Sequence, residues 1–239
     1  MQQLHPVKED WQTGLVVVAH PDDIEYGASG AIARWTKQGK RIIYLLLTRG
    51  EAGIDSIEPG RTADIRTREQ IAAAEVVGVD DVRFLDHPDG VLEYSLALRR
   101  DVARVIRDVR PEVCITLNHR EYFPGERLNM ADHRVAGSVL IDAIRDADNR
   151  WVFPELADEG YEPWSGVHTV LVSNSPRGNH AVDIDDTIQA GVTSLRQHET
   201  YLDNLADHPE PDAFIRGITA SAGENYTSTY ASAFEVISV

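Results

Sequence analysis

The segment that best indicates the fold is Gly14-Leu-Val-Val-Val-Ala-His-Pro-Asp-Asp-Ile-Glu-Tyr-Gly27. Its continuous apolar run at positions 15–19 predicts a buried strand, since such runs are typical of strands covered on both faces. Pro21 has no amide hydrogen to continue a ladder, so the strand should end there. Ligands bind at the carboxyl ends of strands in open α/β sheets. The segment therefore predicts a ligand site at positions 20–23.

Apolar runs and helical patterns alternate along the rest of the chain. Strands are predicted at 15–19, 41–47, 82–85, 112–117 and 167–173. Helices are predicted at 27–38, 61–77, 95–109, 131–147 and 185–206, the last with Asp185 as its N-cap. This alternation predicts an α/β fold with a Rossmann-like, mostly parallel sheet and helices on both faces. We expect one domain over 1–239, with its core at about 14–150 and a C-terminal elaboration over 151–239.

The composition narrows the classes of partner. The chain has 239 residues and a formal net charge of -16, which disfavours nucleic acid and anionic membranes because both attract clustered Lys and Arg. No apolar run approaches the ~20 residues of a membrane span, and the first ten residues lack the apolar core of a secretory signal. The single cysteine, Cys114, lies in an apolar run and favours a buried position and a reducing compartment. We expect a cytoplasmic protein, and the sequence is compatible with a homo-oligomer.

The loop His20-Pro-Asp-Asp23 carries the first chemical signal. Two adjacent buried carboxylates repel each other, and a divalent cation relieves that repulsion. One carboxylate and the imidazole suit Zn²⁺, or another divalent metal, while the second carboxylate is left to exchange protons. Glu25 is interpreted as solvent-facing or as lying just behind the ligands. In the alternative interpretation, Asp22 and Asp23 cap the next helix and His20 is a structural histidine.

A third metal ligand is predicted in the segment Asn129-Met-Ala-Asp-His-Arg134. This segment begins a helix after the strand at 112–117, so its first turn should lie at the same sheet edge. His133 would supply the ligand, and Asp132 would orient the loop or a ring nitrogen from behind. The alternative is a helix cap next to an exposed histidine.

Six segments of the chain resemble motifs of the LmbE-like (PIG-L) family of metal-dependent N-deacetylases, and they occur in the same order as in that family. They are Ala19-His-Pro-Asp-Asp23, Thr48-Arg-Gly-Glu-Ala-Gly53, Arg66-Thr-Arg-Glu69 leading into Ala72-Ala-Ala-Glu-Val-Val-Gly78, Phe84-Leu-Asp-His-Pro-Asp-Gly90, Ala131-Asp-His133 and Tyr230-Ala-Ser-Ala-Phe234. The resemblance covers most of the chain. It implies a Rossmann-like fold and removal of an acetyl group from an N-acetylglucosamine-type sugar or glycoconjugate, or hydrolysis of a related amide.

The resemblance also implies residue roles. His20, Asp23 and His133 match the zinc ligands, and Asp22 matches the general base that activates water. Arg66 matches the arginine expected to reach the polar head of the substrate.

The chain departs from the family's sequence pattern at Met130. At this position the family often has a histidine that stabilises the oxyanion and transfers a proton. A thioether does neither, since it is only a weak acceptor. His119 or His198 could take over that role, with His198 expected behind the ligands, and Asn129 could donate a hydrogen bond to the substrate. Alternatively, zinc and Asp22 suffice at a slower rate, or the protein binds without turnover.

The sequence also allows functions other than deacetylation. A non-catalytic sugar-binding or regulatory protein is the main alternative, and an amidase acting on a different small amide is a second. A nucleotide-binding protein is disfavoured, since no Gly-x-Gly-x-x-Gly turn follows the first strand. A metal-dependent phosphoesterase is a further alternative, since the Asp pair and zinc would suit it, but it would call for more basic residues near the site.

Overall fold

The computed structural model describes residues 3–206 and 208–239. Within these residues the strands are β1 (His5–Pro6), β2 (Thr13–Val18), β3 (Arg41–Leu46), β4 (Asp81–Phe84), β5 (Val113–Leu117), β6 (Thr169–Ser173), β7 (His180–Asp183) and β8 (Ala231–Ser238). They form one sheet in the order β1-β7-β8-β6-β5-β2-β3-β4. β8 is antiparallel to β6 and β7, while the other neighbours pair in parallel. The predicted mostly parallel sheet is confirmed.

The helices lie on both faces of this sheet. They are α1 (Ser29–Lys37), α2 (Pro59–Val76), α3 (Leu96–Val109), α4 (Ala131–Asp148), α5 (Glu155–Asp158), α6 (Ile188–Arg196), α7 (Glu199–Asp203) and α8 (Pro211–Gly223). Buried residues of α1, α2, α6 and α8 join one hydrophobic cluster, and those of α3 and α4 join another. Across the described ranges, no helix combines the length and apolarity needed to cross a bilayer.

The central strand β2 shows why its sequence is apolar throughout. Val16 and Val18 belong to the cluster on one face, while Leu15 and Val17 belong to the cluster on the other. Successive side chains of a strand point to opposite faces, so a strand covered on both sides needs apolar residues at every position. Cys114 of the neighbouring β5 is free and buried in the second cluster, as predicted.

The prediction of one helix over 185–206 is wrong. α6 ends at Arg196 and α7 begins at Glu199, so the helical pattern is interrupted at residues 197 and 198. After the break, the backbone N–H of Thr200 donates to Oε1 of Glu69 on α2 at 2.7 Å. Asp185 does not cap this helix, because its carboxylate accepts the backbone N–H groups of residues 229 and 230. Contacts with distant segments override the local periodicity here.

Candidate active site

Three loops meet where the parallel strands end. Residues 20–28 follow β2, residues 85–95 follow β4, and residues 118–130 follow β5. Because these strands run in parallel, their carboxyl ends lie at one edge of the sheet. α4 then begins at Ala131, so its first turn carries Asp132 and His133 into the same place.

Ligand atoms of His20, Asp23 and His133 lie together within 4.8 Å of one another, and all three residues are buried. Nε2 of His133 is 3.0 Å from Oδ1 of Asp23, and Nδ1 of His20 is 3.7 Å from Oδ2 of Asp23. Around a tetrahedral zinc ion, neighbouring ligand atoms stand about 3.3 Å apart. The spacing of this trio therefore suits a metal ion with an open coordination position.

The second ring nitrogen of His20 is held by carboxylates. Its Nε2 lies 3.0 Å from Oδ1 of Asp89 and 3.3 Å from Oδ2 of Asp132. Ionised carboxylates only accept hydrogen bonds, so this network places the ring hydrogen on Nε2. The lone pair of Nδ1 then faces Asp23, which is the tautomer that a metal ligand needs.

Asn129 fixes the tautomer of the second histidine, His133. The side-chain NH₂ of Asn129 donates to the backbone carbonyls of Asn118 and Arg120, at 2.6 and 2.9 Å, which fixes the amide orientation. Its Oδ1 lies 3.0 Å from Nδ1 of His133, so Nδ1 carries the hydrogen and Nε2 is free for a metal. The expected donation from Asn129 to a substrate is not what the structure provides, because backbone carbonyls already accept both of its N–H groups.

Replacement of Asn129 by alanine should weaken zinc binding by about 10–100-fold, because His133 would lose the acceptor that sets its tautomer. Titration of the apoprotein with zinc against a competing chelator measures this change. The exposed Asn204→Ala variant is the control and should bind zinc like the wild type. Equal affinity in all three proteins would contradict the orienting role of Asn129.

Asp22 is held in an unusual backbone conformation beside the trio. Its φ is +84°, a left-handed value that is uncommon for non-glycine residues. Gln70 accepts the backbone N–H of Asp22 at 2.8 Å, and Nη2 of Arg66 donates to Oδ1 of Asp22 at 2.9 Å. Two residues of α2 therefore hold Asp22, one at its backbone and one at its carboxylate, and the carboxylate is left outside the ligand trio.

Arg66 occupies a different place from the one expected. Its guanidinium also donates to the backbone carbonyls of Pro21 and Gly50, at 2.6 and 3.2 Å, and the residue is only 2% exposed. A guanidinium so enclosed cannot reach the polar head of a substrate as we expected from the resemblance. Its contacts instead hold the turn at Pro21 and the carboxylate of Asp22.

The surroundings of the two adjacent aspartates give their carboxyl groups different pKa values. Burial raises the pKa of Asp22 to about 6, assisted by Asp23 and opposed by Arg66. Burial acts in the same direction on Asp23, but His133 and His20 outweigh it and hold the pKa of that carboxyl well below its usual range. Asp22 is thus the more basic carboxylate, which suits the exchange of protons, while Asp23 stays ionised.

The donor set fits a divalent cation. Four carboxylates surround only two imidazoles and one guanidinium, so a bound cation would offset the excess negative charge; the carboxylates belong to Asp22, Asp23, Asp89 and Asp132. A second trio, His20, Asp89 and Asp132, also brings ligand atoms together. However, both oxygens of Asp132 already accept backbone N–H groups, from Gly90 at 2.8 Å and Leu92 at 3.1 Å. Asp132 therefore orients both the loop and the ring of His20.

Glu25 and His198 lie behind Asp22 in the interior. Glu25 is only 1% exposed, so of its two expected positions the solvent-facing one is wrong, and the residue lies behind the ligands. Its Oε1 accepts hydrogen bonds from Gln70 and Ser194, at 3.3 and 3.0 Å. Nε2 of His198 is 3.6 Å from Oε2 of Glu25, and this histidine is fully buried. Glu25 thus supports Gln70, which holds the backbone of Asp22, and the fully buried His198 lies next to Glu25 with no open path to a substrate.

His119 and Met130 lie beside the first two turns of α4. His119 packs against Gly137, one helical turn beyond His133 on α4. It lines a cavity of about 370 Å³ with Arg120, Tyr122 and Arg177 among others, and burial and Arg120 lower its pKa. Met130 is 55% exposed. The structure thus gives no imidazole at position 130 and leaves His119 outside the ligand trio.

Three residues near the site were not assigned a role from the sequence. Asp89 lies in the quoted segment after β4, so the shared sheet edge was an available signal for it. Gln70 follows Arg66 by one helical turn, which was a weaker signal. Tyr201, whose ring lies 3.8 Å from the Arg66 guanidinium, had none, because its approach depends on the break between α6 and α7.

Comparison with known proteins places this geometry in a family. The model of the family described as PIG-L: GlcNAc-PI de-N-acetylase matches residues 15–144, more than half of the chain. The chain belongs to the PIG-L family. The matched range contains the ligand trio together with Asp22 and Asn129, so the resemblance inferred from the sequence is confirmed.

Several PIG-L relatives are named for related activities. The chain is 32% identical to diacetylchitobiose deacetylase of Thermococcus kodakarensis over 188 residues, which are 78% of this chain and 68% of that protein. It is 33% identical over 152 residues to 1D-myo-inositol 2-acetamido-2-deoxy-alpha-D-glucopyranoside deacetylase of Kineococcus radiotolerans, which covers 50% of this chain and 41% of that one. The chain thus spans less than half of the second relative.

A solved structure confirms the fold. N,N'-diacetylchitobiose deacetylase from Pyrococcus horikoshii, complexed with its inhibitor MPG, superposes with a TM-score of 0.85. The match covers 96% of this chain and 85% of that one, at 24% identity.

Proposed function

We propose that this chain is a metal-dependent N-deacetylase that removes the acetyl group from an N-acetylglucosamine-type sugar or glycoconjugate. The observation that carries this proposal is the buried trio of His20, Asp23 and His133 with the unligated carboxylate of Asp22 beside it. The names of the relatives support the substrate class, since two of them are deacetylases of acetamido sugars.

Zn²⁺ is the proposed metal because two imidazole nitrogens and one carboxylate oxygen are a ligand set that zinc prefers. A bound zinc ion would supply a Lewis acid and lower the pKa of a water molecule to about 7. We place this chemistry in a single domain over 1–239 and in the cytoplasm, which agrees with one free, buried cysteine.

Asp22 is the residue that would move protons. It takes a proton from water as the water oxygen bonds to the amide carbonyl carbon, and it returns that proton to the nitrogen as the C–N bond breaks. Acetate and a free amine result. The hydrogen bonds from Arg66 and to Gln70 keep the carboxylate in place through both transfers.

The proposal is tested by incubating the zinc-loaded protein with N-acetylglucosamine, N,N'-diacetylchitobiose and a set of simple N-acetylated amines. Release of acetate and free amine from the sugars, but not from the simple amides, is expected. Hydrolysis of the simple amides alone would indicate an amidase of different specificity. Binding of the sugars without any release would indicate the non-catalytic alternative, and either result would contradict the proposed function.

A further inference from the structure

The reaction proposed above develops negative charge on the amide oxygen, and most residues around the ligand trio cannot stabilise it. Asp22, Asp23, Asp89 and Asp132 present carboxylates, which accept hydrogen bonds rather than donate them. The exposed thioether of Met130 donates none. A donor in addition to the metal must therefore come from another residue.

Tyr201 is attached to the site through Arg66. Its ring centroid lies 3.8 Å from the guanidinium carbon of Arg66, and Nη2 of the same guanidinium is 2.9 Å from Oδ1 of Asp22. The buried guanidinium of Arg66 thus contacts both the Tyr201 ring and the carboxylate of Asp22. The ring stacks on a group that is itself held by Pro21 and Gly50, so its position relative to Asp22 is well determined.

The hydroxyl of Tyr201 is free to donate. It forms no hydrogen bond with any residue in the ranges 3–206 and 208–239, and the side chain is partly accessible. Burial raises its pKa, as do Asp22, Asp23 and Asp89, so the hydroxyl stays protonated at neutral pH. The stack on Arg66, whose guanidinium is paired with Asp22, places the Tyr201 ring beside the site.

We propose that the Tyr201 hydroxyl donates a hydrogen bond to the amide oxygen in the transition state, supplying the donor that position 130 lacks. This inference rests on the proposed deacetylation. No proton is transferred by Tyr201, since the step it assists is the addition of water that Asp22 deprotonates. The phenol stabilises charge only where charge develops, so it should act on kcat rather than on KM.

A second tyrosine provides a matched control. Tyr26 also lies near Asp22, and burial and the charge of Asp22 raise its pKa. However, its hydroxyl is 2.8 Å from Nε2 of His208, so it is already paired. Removing either hydroxyl deletes the same atom from a similar setting, but only the Tyr201 hydroxyl is available to a substrate.

The test compares Tyr201→Phe and Tyr26→Phe in the zinc-loaded protein. The phenylalanine at 201 keeps the ring over Arg66 and removes only the hydroxyl. We expect kcat on N,N'-diacetylchitobiose to fall by about 10²-fold with KM and zinc content unchanged, as for the loss of one oxyanion donor. Tyr26→Phe should stay within about twofold of the wild type.

Two results would overturn the role of Tyr201 while leaving the proposed function intact. Wild-type kcat in Tyr201→Phe, with a loss only in Tyr201→Leu, would show that the ring acts by holding Arg66. A rise in KM at constant kcat would make the hydroxyl a ground-state binding group. A wild-type protein that hydrolyses no acetamido sugar would overturn the proposed function, and this inference with it.

Discussion

Asp22→Asn is expected to reduce kcat by about 10²–10⁴-fold while metal stays bound. The asparagine side-chain oxygen still accepts the hydrogen bond from Arg66, but an amide cannot take a proton from water. Asparagine also tolerates the left-handed backbone at this position better than most residues, so the turn should be preserved. Steady-state kinetics and elemental analysis of the same preparation measure both quantities.

The control for this variant is Asp86→Asn. Asp86 follows β4 at the same sheet edge, is largely exposed and pairs with Arg49 at 3.1 Å. The Asp86→Asn substitution removes the same charge without touching the ligand trio, so the kcat of this variant should match that of the wild type. Full activity in Asp22→Asn would assign the proton transfer to another group.

His133→Ala should cost more metal affinity than Asn129→Ala, because it removes a ligand atom rather than the support of one. The loss should exceed the roughly 10–100-fold expected for a supporting residue. Asp23 would lose the imidazole that lies 3.0 Å from its Oδ1 and would face His20 alone. Zinc titration against a chelator measures the affinity, and turnover at saturating zinc shows what activity survives.

His168→Ala is the matched control, since His168 is exposed and its Nδ1 lies 2.9 Å from the hydroxyl of the neighbouring Thr169. That variant should bind zinc with wild-type affinity and stoichiometry. If His133→Ala did the same, His133 would leave the ligand set, and the trio of His20, Asp89 and Asp132 would become the better candidate.

Much of the fold could be predicted because its signals are local. The apolar run of β2 and the helical patterns that follow it depend on neighbours only a few residues away. The secondary structure of the C-terminal region could not be predicted as well from local signals. Its pattern predicted one helix over 185–206, but the bond from Thr200 to Glu69 turns the chain after residue 196. A contact between segments 131 residues apart leaves no trace in local periodicity.

The same distinction between local signals and distant contacts applies to the residues of the site. His20, Asp22 and Asp23 could be grouped from the sequence since they share one loop, and His133 could be added because its helix starts at the same edge. The roles expected for Arg66 and Asn129 were different from those the structure supports. Both residues lie near the site, but which partner each side chain meets depends on how α2 and the loop after β5 pack.

The order of residues in this chain is enough to establish a strand that ends in a histidine and two carboxylates, and a second histidine at the start of a later helix. Chain connectivity and side-chain chemistry determine these features. Packing decides which nitrogen of each histidine is free, which aspartate is the more basic, and that Tyr201 stacks on Arg66. These depend on burial and on contacts between distant segments, and both arise only when the helices have closed over the sheet.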